Sequence, residues 1–353
     1  MHKNTYRAIS LILCIAALML SLCSCSKSEK FSGSFLDTFD TVITLSGYAH
    51  DATEFNEYAA SCHASFKHYH ELFDIYNTYP GINNIKTIND NAGKEPVKVD
   101  AAIIDLIEDA IEYYRQTNGK VNIAMGSVLS VWHNYRERAL ADPTAAAVPS
   151  KAILTAASGS MDINDIVIDK KNGTVFLNNP GLKLDVGAIA KGYACQRVAE
   201  ELKAKGFENF VINAGGNVYA AGKPDESGAG NWSVGVKNPD TSGMASTVDS
   251  LSVTDAAVVT AGGYQRYYTV DGKDYCHIID PDTLMPGDKY LSVTVIAPDS
   301  ALADYMATAL YLTDYEEGVI LCRRMGVDAL WITASGNMLF TDGYLDYSSM
   351  NIN

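Results

Sequence analysis

Apolar and polar positions along this chain keep two rhythms, one of period two and one close to a helical turn, and the two alternate in blocks. The stretch "FLDTFDTVITLSGYA", with Phe39, Val42, Thr44 and Ser46 set among other β-formers, predicts a first strand. Phe55, Tyr58, Ala59, Cys62, Phe66, Tyr69 and Phe73 then recur at helical spacing and predict a helix through "ATEFNEYAASCHASFKHYHELFDIY". His63, His68 and His70 lie in it without an H-E-x-x-H pattern, so they read as solvated helix faces rather than metal ligands. A turn-rich connection, "YPGINNIKTINDNAGKEPVKV", leads to a second helix with Asp100 as its N-cap and Gly119 at its end. The run from Val121 to Gly159 reads as helix or loop, broken at Pro143 and Pro149.

A hairpin turning on Lys171, Asn172 and Gly173 follows. From Leu182 the pattern predicts a strand, a glycine-rich turn, a helix and a further strand that ends in a second glycine-rich turn. Strands in hairpin-like succession come next, over "NWSVGVKNP", "SLSVTDAAVVTAGGYQRYYTVDGKDYCHIIDP" and "YLSVTVIAP". "SALADYMATALYLT" predicts a helix capped by Ser300, and "GVDALWITASGNMLFTDGYLDY" closes with strands. Directly joined strands outnumber strand-helix-strand units, so the class is α+β, with mixed or antiparallel sheets and packed helices. No linker divides the stretch 35–353.

Composition changes this picture mainly at the N-terminus. The chain has 353 residues, 47% of them hydrophobic, enough for a sizeable core and too apolar for general disorder. Lys3 and Arg7 precede an apolar run from Ala8 to Leu22, which is the form of an export signal. Leu22 and Ser24 stand three and one residues before Cys25, the spacing of a lipobox. Cys25 is therefore the expected lipidated N-terminus, with an ordinary secretory cleavage as the other possibility. The chain then divides into a signal peptide over 1–24, a polar tether over 25–34 and a folded domain over 35–353, anchored by lipid on the extracytoplasmic face of the cell membrane. A formal net charge of -15 argues against nucleic acid as a partner and leaves membrane contact to the lipid. Cys62, Cys195, Cys276 and Cys322 are far apart, with no C-x-x-C pair to suggest zinc or a redox dithiol. Whether any of them forms a disulfide stays open.

Four turns carry the candidate chemistry: "DVGAIAKGYA", "INAGGNVYAAG", "TAGGYQRYY" and "HIIDPDTLMPG". Glycines let backbone N–H groups come close to an anion, and a helix N-terminus adds partial positive charge. None matches a dinucleotide-binding Rossmann turn or a P-loop, but several at strand ends suggest a cleft for a phosphorylated ligand. Asp304 and Thr308 are one helical turn apart, on one face, where a carboxylate and a hydroxyl would suit Mg²⁺ or, equally, a buried hydrogen bond. His277 has an ordinary pKa of about 6.5 and could accept a proton at neutral pH. A structural histidine beside a tight turn would look the same.

Taken in order, these stretches resemble the ApbE family, the FAD:protein FMN transferases. The resemblance runs from about Phe35 to Leu345. It rests on "FDTVITL", "LFDIYNTYPGINNIKTIN", "NIAMGSVLSVW", "LDVGAIAKGYACQRVAEEL", "VINAGGNVYAAG", "TAGGYQRYYTVDGKDYCHIIDPDTLMPG" and "VTVIAPDSALADYMATALY". It implies Mg²⁺-dependent transfer of FMN from FAD to a threonine hydroxyl of an acceptor protein as a phosphoester, with AMP released. The acceptor would be an exported or membrane-bound redox protein. It further implies His277 as general base, and Asp304, Thr308 and the carbonyl of Ala188 as Mg²⁺ ligands. Asp185, Lys191, Asn213, Gly215 and Gly216 would shape the nucleotide cleft, Phe39 and Asn89 would lie beside the flavin ring, and Tyr264 and Arg266 would line the same pocket. The sequence departs from the family pattern at Leu284, where glycine is usual, at Phe39-Asp40, where Met-Gly is common, and at Ala261-Gly262, where Ser-Gly is common. An FAD pyrophosphatase giving FMN and AMP, or a lipoprotein that only binds flavin, would use many of the same residues.

Overall fold

The computed structural model describes residues 28–224, 230–240 and 245–350. The export signal, Cys25 and the first part of the expected tether lie outside them. The first described elements are strands β1 (Glu29–Thr38) and β2 (Thr41–Ala49), joined by a two-residue turn at Phe39 and Asp40. Both turn residues have positive φ, 54° and 49°, as such a turn requires. The tether therefore ends earlier than expected: residues 29–34 are strand, because Phe31 and Phe35 alternate with polar residues and pack their rings towards Phe55 and Phe66. The single strand expected over residues 35–49 is in fact the end of one strand and the whole of the next.

Helix α1 (Ala52–Phe73) begins at Asp51, whose carboxylate accepts from the amides of Thr53 and Glu54. The turn-rich connection holds a short helix, α2 (Ile85–Asp90), closed by reciprocal bonds between Asn84 and Thr87. Then come β3 (Val97–Lys98), α3 (Ala101–Gln116) capped by Asp100, α4 (Gly126–Ala141), α5 (Lys151–Ser158), β4 (Ile166–Asp169) and β5 (Thr174–Leu177). The strand expected at Leu182 is not a strand; Lys183 makes only an isolated parallel bridge to Met125. Helix α6 (Ala190–Ala204) is followed by β6 (Phe210–Ala214), β7 (Asn217–Ala221), β8 (Trp232–Lys237), β9 (Thr247–Val253), β10 (Ala256–Gly262), β11 (Tyr267–Val270), β12 (Lys273–Cys276) and β13 (Tyr290–Ala297). Helix α7 (Ser300–Tyr311) is capped not by Ser300 but by Asp299, whose carboxylate accepts from Leu302 N at 2.8 Å. Helix α8 (Tyr315–Met325), β14 (Asp328–Thr333) and β15 (Met338–Phe340) follow, and a 3-10 turn over Asp342–Asp346 stands where the closing strands were expected to continue.

Eight strands form one sheet in the order β1-β2-β6-β7-β10-β13-β14-β15. Every ladder among the described residues is antiparallel, since the connections are hairpins or cross between antiparallel neighbours. Both faces of the central strands are covered. Ala257 and Val259 of β10, with Val293 and Val295 of β13, face a core shared with α1, α6 and α7; Val258 and Ile296 face a second core under the β8–β9 ribbon. A third apolar cluster surrounds Trp132 on α4 and joins it to Leu154, Tyr268 and Ile279. The cysteines Cys62, Cys195, Cys276 and Cys322 are all buried and unpaired.

Candidate active site

A cavity of about 500 Å³ opens where the β1–β2 turn, α4, the loop 185–189 into α6, the end of β10, the His277 turn and α7 meet. One wall is aromatic. Trp132 stacks on Tyr275 with centroids 6.0 Å apart, and Tyr76 lies over His133 at 5.2 Å. The lining also has a polar part, with Lys191, Asp304, Thr308 and Asn217. Such a mixed lining suits a ligand with a flat ring system and an anionic linkage.

The polar wall depends on a close helix contact. Gly192 on α6 has no side chain between it and α7; a Cβ there would collide with the carbonyl oxygen of Ser300 and with Cβ of Asp304. The approach lets the Gly192 amide donate to Asp304 Oδ2 at 2.9 Å, while Lys191 Nζ stands 3.7 Å from the same oxygen. Burial raises the Asp304 pKa, and Lys191 and the Gly192 amide oppose that rise. Asn217 is only 2% exposed, and its side-chain Oδ1 has no hydrogen-bond partner. The oxygens of Asp304, Thr308, Ala188 and Asn217 thus form a donor set that fits a hard divalent cation such as Mg²⁺. Among the described residues no group of three or more His, Cys, Asp or Glu is placed to hold a metal ion.

His277 stands at the end of the β11–β12 hairpin. Its backbone amide donates to the Arg266 carbonyl at 3.1 Å, and ring Nδ1 lies 3.2 Å from the same oxygen. A carbonyl only accepts, so Nδ1 carries the hydrogen and Nε2 keeps the lone pair. The ring is open to the cavity but sits deep among protein groups. Desolvation there, followed by the charges of Arg266, Lys191 and Arg136, pushes its pKa from 6.5 down to about 4. At neutral pH it is an uncharged imidazole, ready to accept a proton. Burial likewise raises the Asp185 pKa, against the Gly187 amide that donates to Oδ1 at 2.9 Å.

A sequence model of the ApbE family matches residues 39–331. The chain belongs to the ApbE family. It is 32% identical over 302 residues to an FAD:protein FMN transferase of Klebsiella pneumoniae (strain 342), covering 85% of this chain and 88% of the relative. A second FAD:protein FMN transferase, of Treponema pallidum (strain Nichols), is 33% identical over 275 residues, 74% of each chain. Among solved structures, the ApbE protein of Thermotoga maritima superposes with a TM-score of 0.79 at 26% identity, covering 91% of this chain and 100% of that one. The flavin transferase ApbE of Vibrio cholerae shares the fold, with a TM-score of 0.74 at 21% identity over 91% of this chain and 99% of that one. The family and the α+β fold expected from the sequence are those observed.

Of the residues singled out by the ApbE resemblance, the fold brings Phe39, Asp185, Ala188, Lys191, Gly215, Arg266, His277, Asp304 and Thr308 onto one cavity wall or another. Four do not line it: Asn89, Asn213, Gly216 and Tyr264. Asn89 is a brace: its side-chain amide donates to the Leu184 carbonyl at 2.9 Å and accepts from the Leu184 amide at 2.7 Å, which fixes the segment entering Asp185. Asn213 accepts from the Gly216 amide at 3.0 Å and so shapes the turn that carries Gly215. Tyr264 has Lys237 Nζ 5.3 Å over its ring and abuts Gly262, which does line the cavity. At the departures from the ApbE pattern, Leu284 takes φ 60° where glycine is usual, and its carbonyl accepts from Trp132 Nε1 at 2.9 Å.

Several cavity residues were not singled out one by one, although Met125, Leu129 and Trp132 lie in the stretch "NIAMGSVLSVW". Leu129, Trp132, His133 and Arg136 share one face of α4, with Met125 as its N-cap residue, a spacing visible in the sequence whose destination is not. His70, expected on a solvated face, accepts from the Phe39 amide at 3.3 Å and meets Tyr79 Oη at 3.3 Å. Tyr79 in turn donates to Asp74 at 2.7 Å, so a chain of hydrogen bonds holds the Phe39 turn at the cavity mouth. Lys120 pairs with Asp282 at 2.6 Å and ties another wall to the turn after His277.

Proposed function

We propose that the protein transfers FMN from FAD to a threonine hydroxyl of an acceptor protein, forming a phosphoester and releasing AMP. The observation that carries this reading is the placement of a neutral His277, with Nε2 unprotonated, on the same cavity as the Lys191–Asp304 pair and its oxygen donors. Family membership and the transferase relatives support it. The aromatic wall would take a flavin or adenine ring, and Lys191, Arg136, Arg266 and the start of α6 would draw the pyrophosphate inwards. On an acidic chain this local cluster is what an anionic substrate needs.

The chemistry balances as an in-line displacement. The acceptor oxygen forms a bond to the FMN-side phosphorus, and the bond from that phosphorus to the bridging oxygen breaks. The hydroxyl proton passes to His277 Nε2, and AMP departs with the bridging oxygen. Arg266 holds the His277 ring in the required tautomer through its carbonyl. Mg²⁺, when bound by Asp304, Thr308, Ala188 and Asn217, would supply charge neutralisation of the pyrophosphate. A positioned base is worth roughly 10² to 10⁴ in rate.

The same reading places the folded domain on the extracytoplasmic side of the cell membrane, held by a lipid on Cys25, where exported or membrane-bound redox proteins would be its acceptors. Support comes from the lipobox spacing alone. Among the described residues no helix is long and apolar enough to cross a membrane.

The test is to incubate the protein with FAD, Mg²⁺ and a candidate acceptor protein and to weigh all products. An FMN-sized gain on the acceptor with AMP released is the expected result. Free FMN and AMP with an unmodified acceptor would mean hydrolysis, and FAD left intact would overturn the reading.

A further inference from the structure

A second, open groove of about 580 Å³ adjoins the cavity and shares Arg136, Gln265, Arg266 and Tyr268 with it. One side is strand β11, and the other is the end of α4 with Leu140 and Pro143. We propose that this groove docks the acceptor protein, by pairing an extended segment of it against the free edge of β11. The proposal rests on the transferase reading and names how its second substrate is held.

The register of the hairpin carries the argument. Strands β11 and β12 turn through Asp271 and Gly272, both with positive φ, so the flanking pair Val270 and Lys273 exchanges hydrogen bonds. Bonded and non-bonded pairs alternate in an antiparallel ladder. Tyr268 therefore bonds to Tyr275, and Arg266 to His277, the latter seen as the 3.1 Å bond between them. Tyr267 and Thr269 are the intervening residues. Their main-chain N–H and C=O groups point away from β12, the only strand that pairs with β11 among the described residues. Both residues are exposed and both line the groove. A segment adding to that edge would be led along the strand towards Arg266, whose carbonyl holds His277.

An unpaired strand edge beside a catalytic base is a standing invitation to an extended chain. The groove also fits the chemistry of a particular segment. Its lining carries two arginines and no acid, on a chain with 42 acidic residues; Arg136 is paired with Glu137 at 2.9 Å, and no ion pair is formed by Arg266 among the described residues, so an acidic residue of the segment is favoured beside Arg266. Leu140 at 61% exposure and Tyr267 at 42% give it an apolar rim.

Thr269→Pro removes the outward N–H without touching a ladder bond, a position where a strand tolerates proline. Thr269→Val keeps that N–H and loses only the hydroxyl bond to Asp274, so it controls for the side chain. The full-length protein would be given FAD, Mg²⁺ and a library of threonine-centred peptides with randomised flanks, and FMN-bearing peptides weighed. The proline variant is expected to lose about tenfold or more in peptide kcat/KM, as expected for a lost hydrogen bond with added obstruction, with FAD binding unchanged. The valine variant should match wild type, and peptides selected by wild type should be enriched in acidic residues beside the threonine. Wild-type peptide kcat/KM in Thr269→Pro, with FAD still bound, overturns the docking edge and leaves the transferase reading standing. Absence of FMN transfer by the unaltered protein overturns both.

Discussion

His277 and Asp304 show how burial sets the working charge of a side chain. Because desolvation and three cations hold the His277 pKa down at about 4, its imidazole stays uncharged through neutral pH and is protonated only in acid. The acid limb of kcat/KM should therefore fall well below pH 6.5, and a limb at or above that value in a pH-rate profile would contradict the assigned role. His277→Gln should lower kcat by roughly 10² to 10⁴ while FAD affinity, read by fluorescence titration, is retained. Asp304 works in the other direction. Its folded pKa is raised, so its contribution to stability is full below the ordinary carboxylate pKa and is lost as pH rises. Asp304→Asn should thus raise the melting temperature of the metal-free protein at neutral pH while abolishing any Mg²⁺-induced shift and the transfer activity. Leu284 tells a smaller story: its φ of 60° favours glycine, yet its side chain packs in the Trp132 cluster, so the two effects oppose each other.

Elements matter here through where they touch. The contact of α6 with α7 at Gly192 puts Lys191 and Asp304 into one site, and Gly192→Ala should cost about 1–3 kcal/mol through overpacking. A lower urea midpoint with an unchanged denaturant slope would register that cost, and a stability equal to wild type would refute the contact. Much of this architecture was legible beforehand. The hydrophobic period gave α1, α3, α6 and α7, and the paired turn residues gave the β4–β5 hairpin. The site residues on turns were found by their glycines and by family resemblance. The stripe on α4 was noted only up to Trp132, and its place on the cavity was not read, because helical periodicity marks a buried face without saying what it faces. The bracing bonds of Asn89 were hidden for a related reason: a short-range motif does not reveal that a side chain will commit both its polar atoms to the backbone of Leu184, 95 positions later. Ser300 was the expected cap, and the side chain that accepts the Leu302 amide belongs instead to Asp299, one residue earlier.

For the whole molecule, the strand at residues 29–34 has the widest effect. It closes one edge of the eight-stranded sheet and covers Phe55 with Phe31, whose rings lie 5.5 Å apart. A chain begun at Phe35, where the family resemblance starts, should lose about 2 kcal/mol of apolar burial and melt a few degrees lower than one begun at Ser28. Equal melting by calorimetry would show the strand to be dispensable. The polarity of this strand hid it from a reading by hydropathy, since an edge strand buries only every second residue on one side.

The four thiols of the described chain have a consequence for how the protein is made. Each is locked into the apolar interior, and the pKa values of Cys62, Cys195, Cys276 and Cys322 are all raised by burial, so none is a ready thiolate. No cross-link has to form or be corrected before the cavity exists. Maturation of the folded domain therefore asks nothing of an oxidase or a disulfide isomerase, and the enzyme should assemble equally well on the reducing and the oxidising side of a membrane.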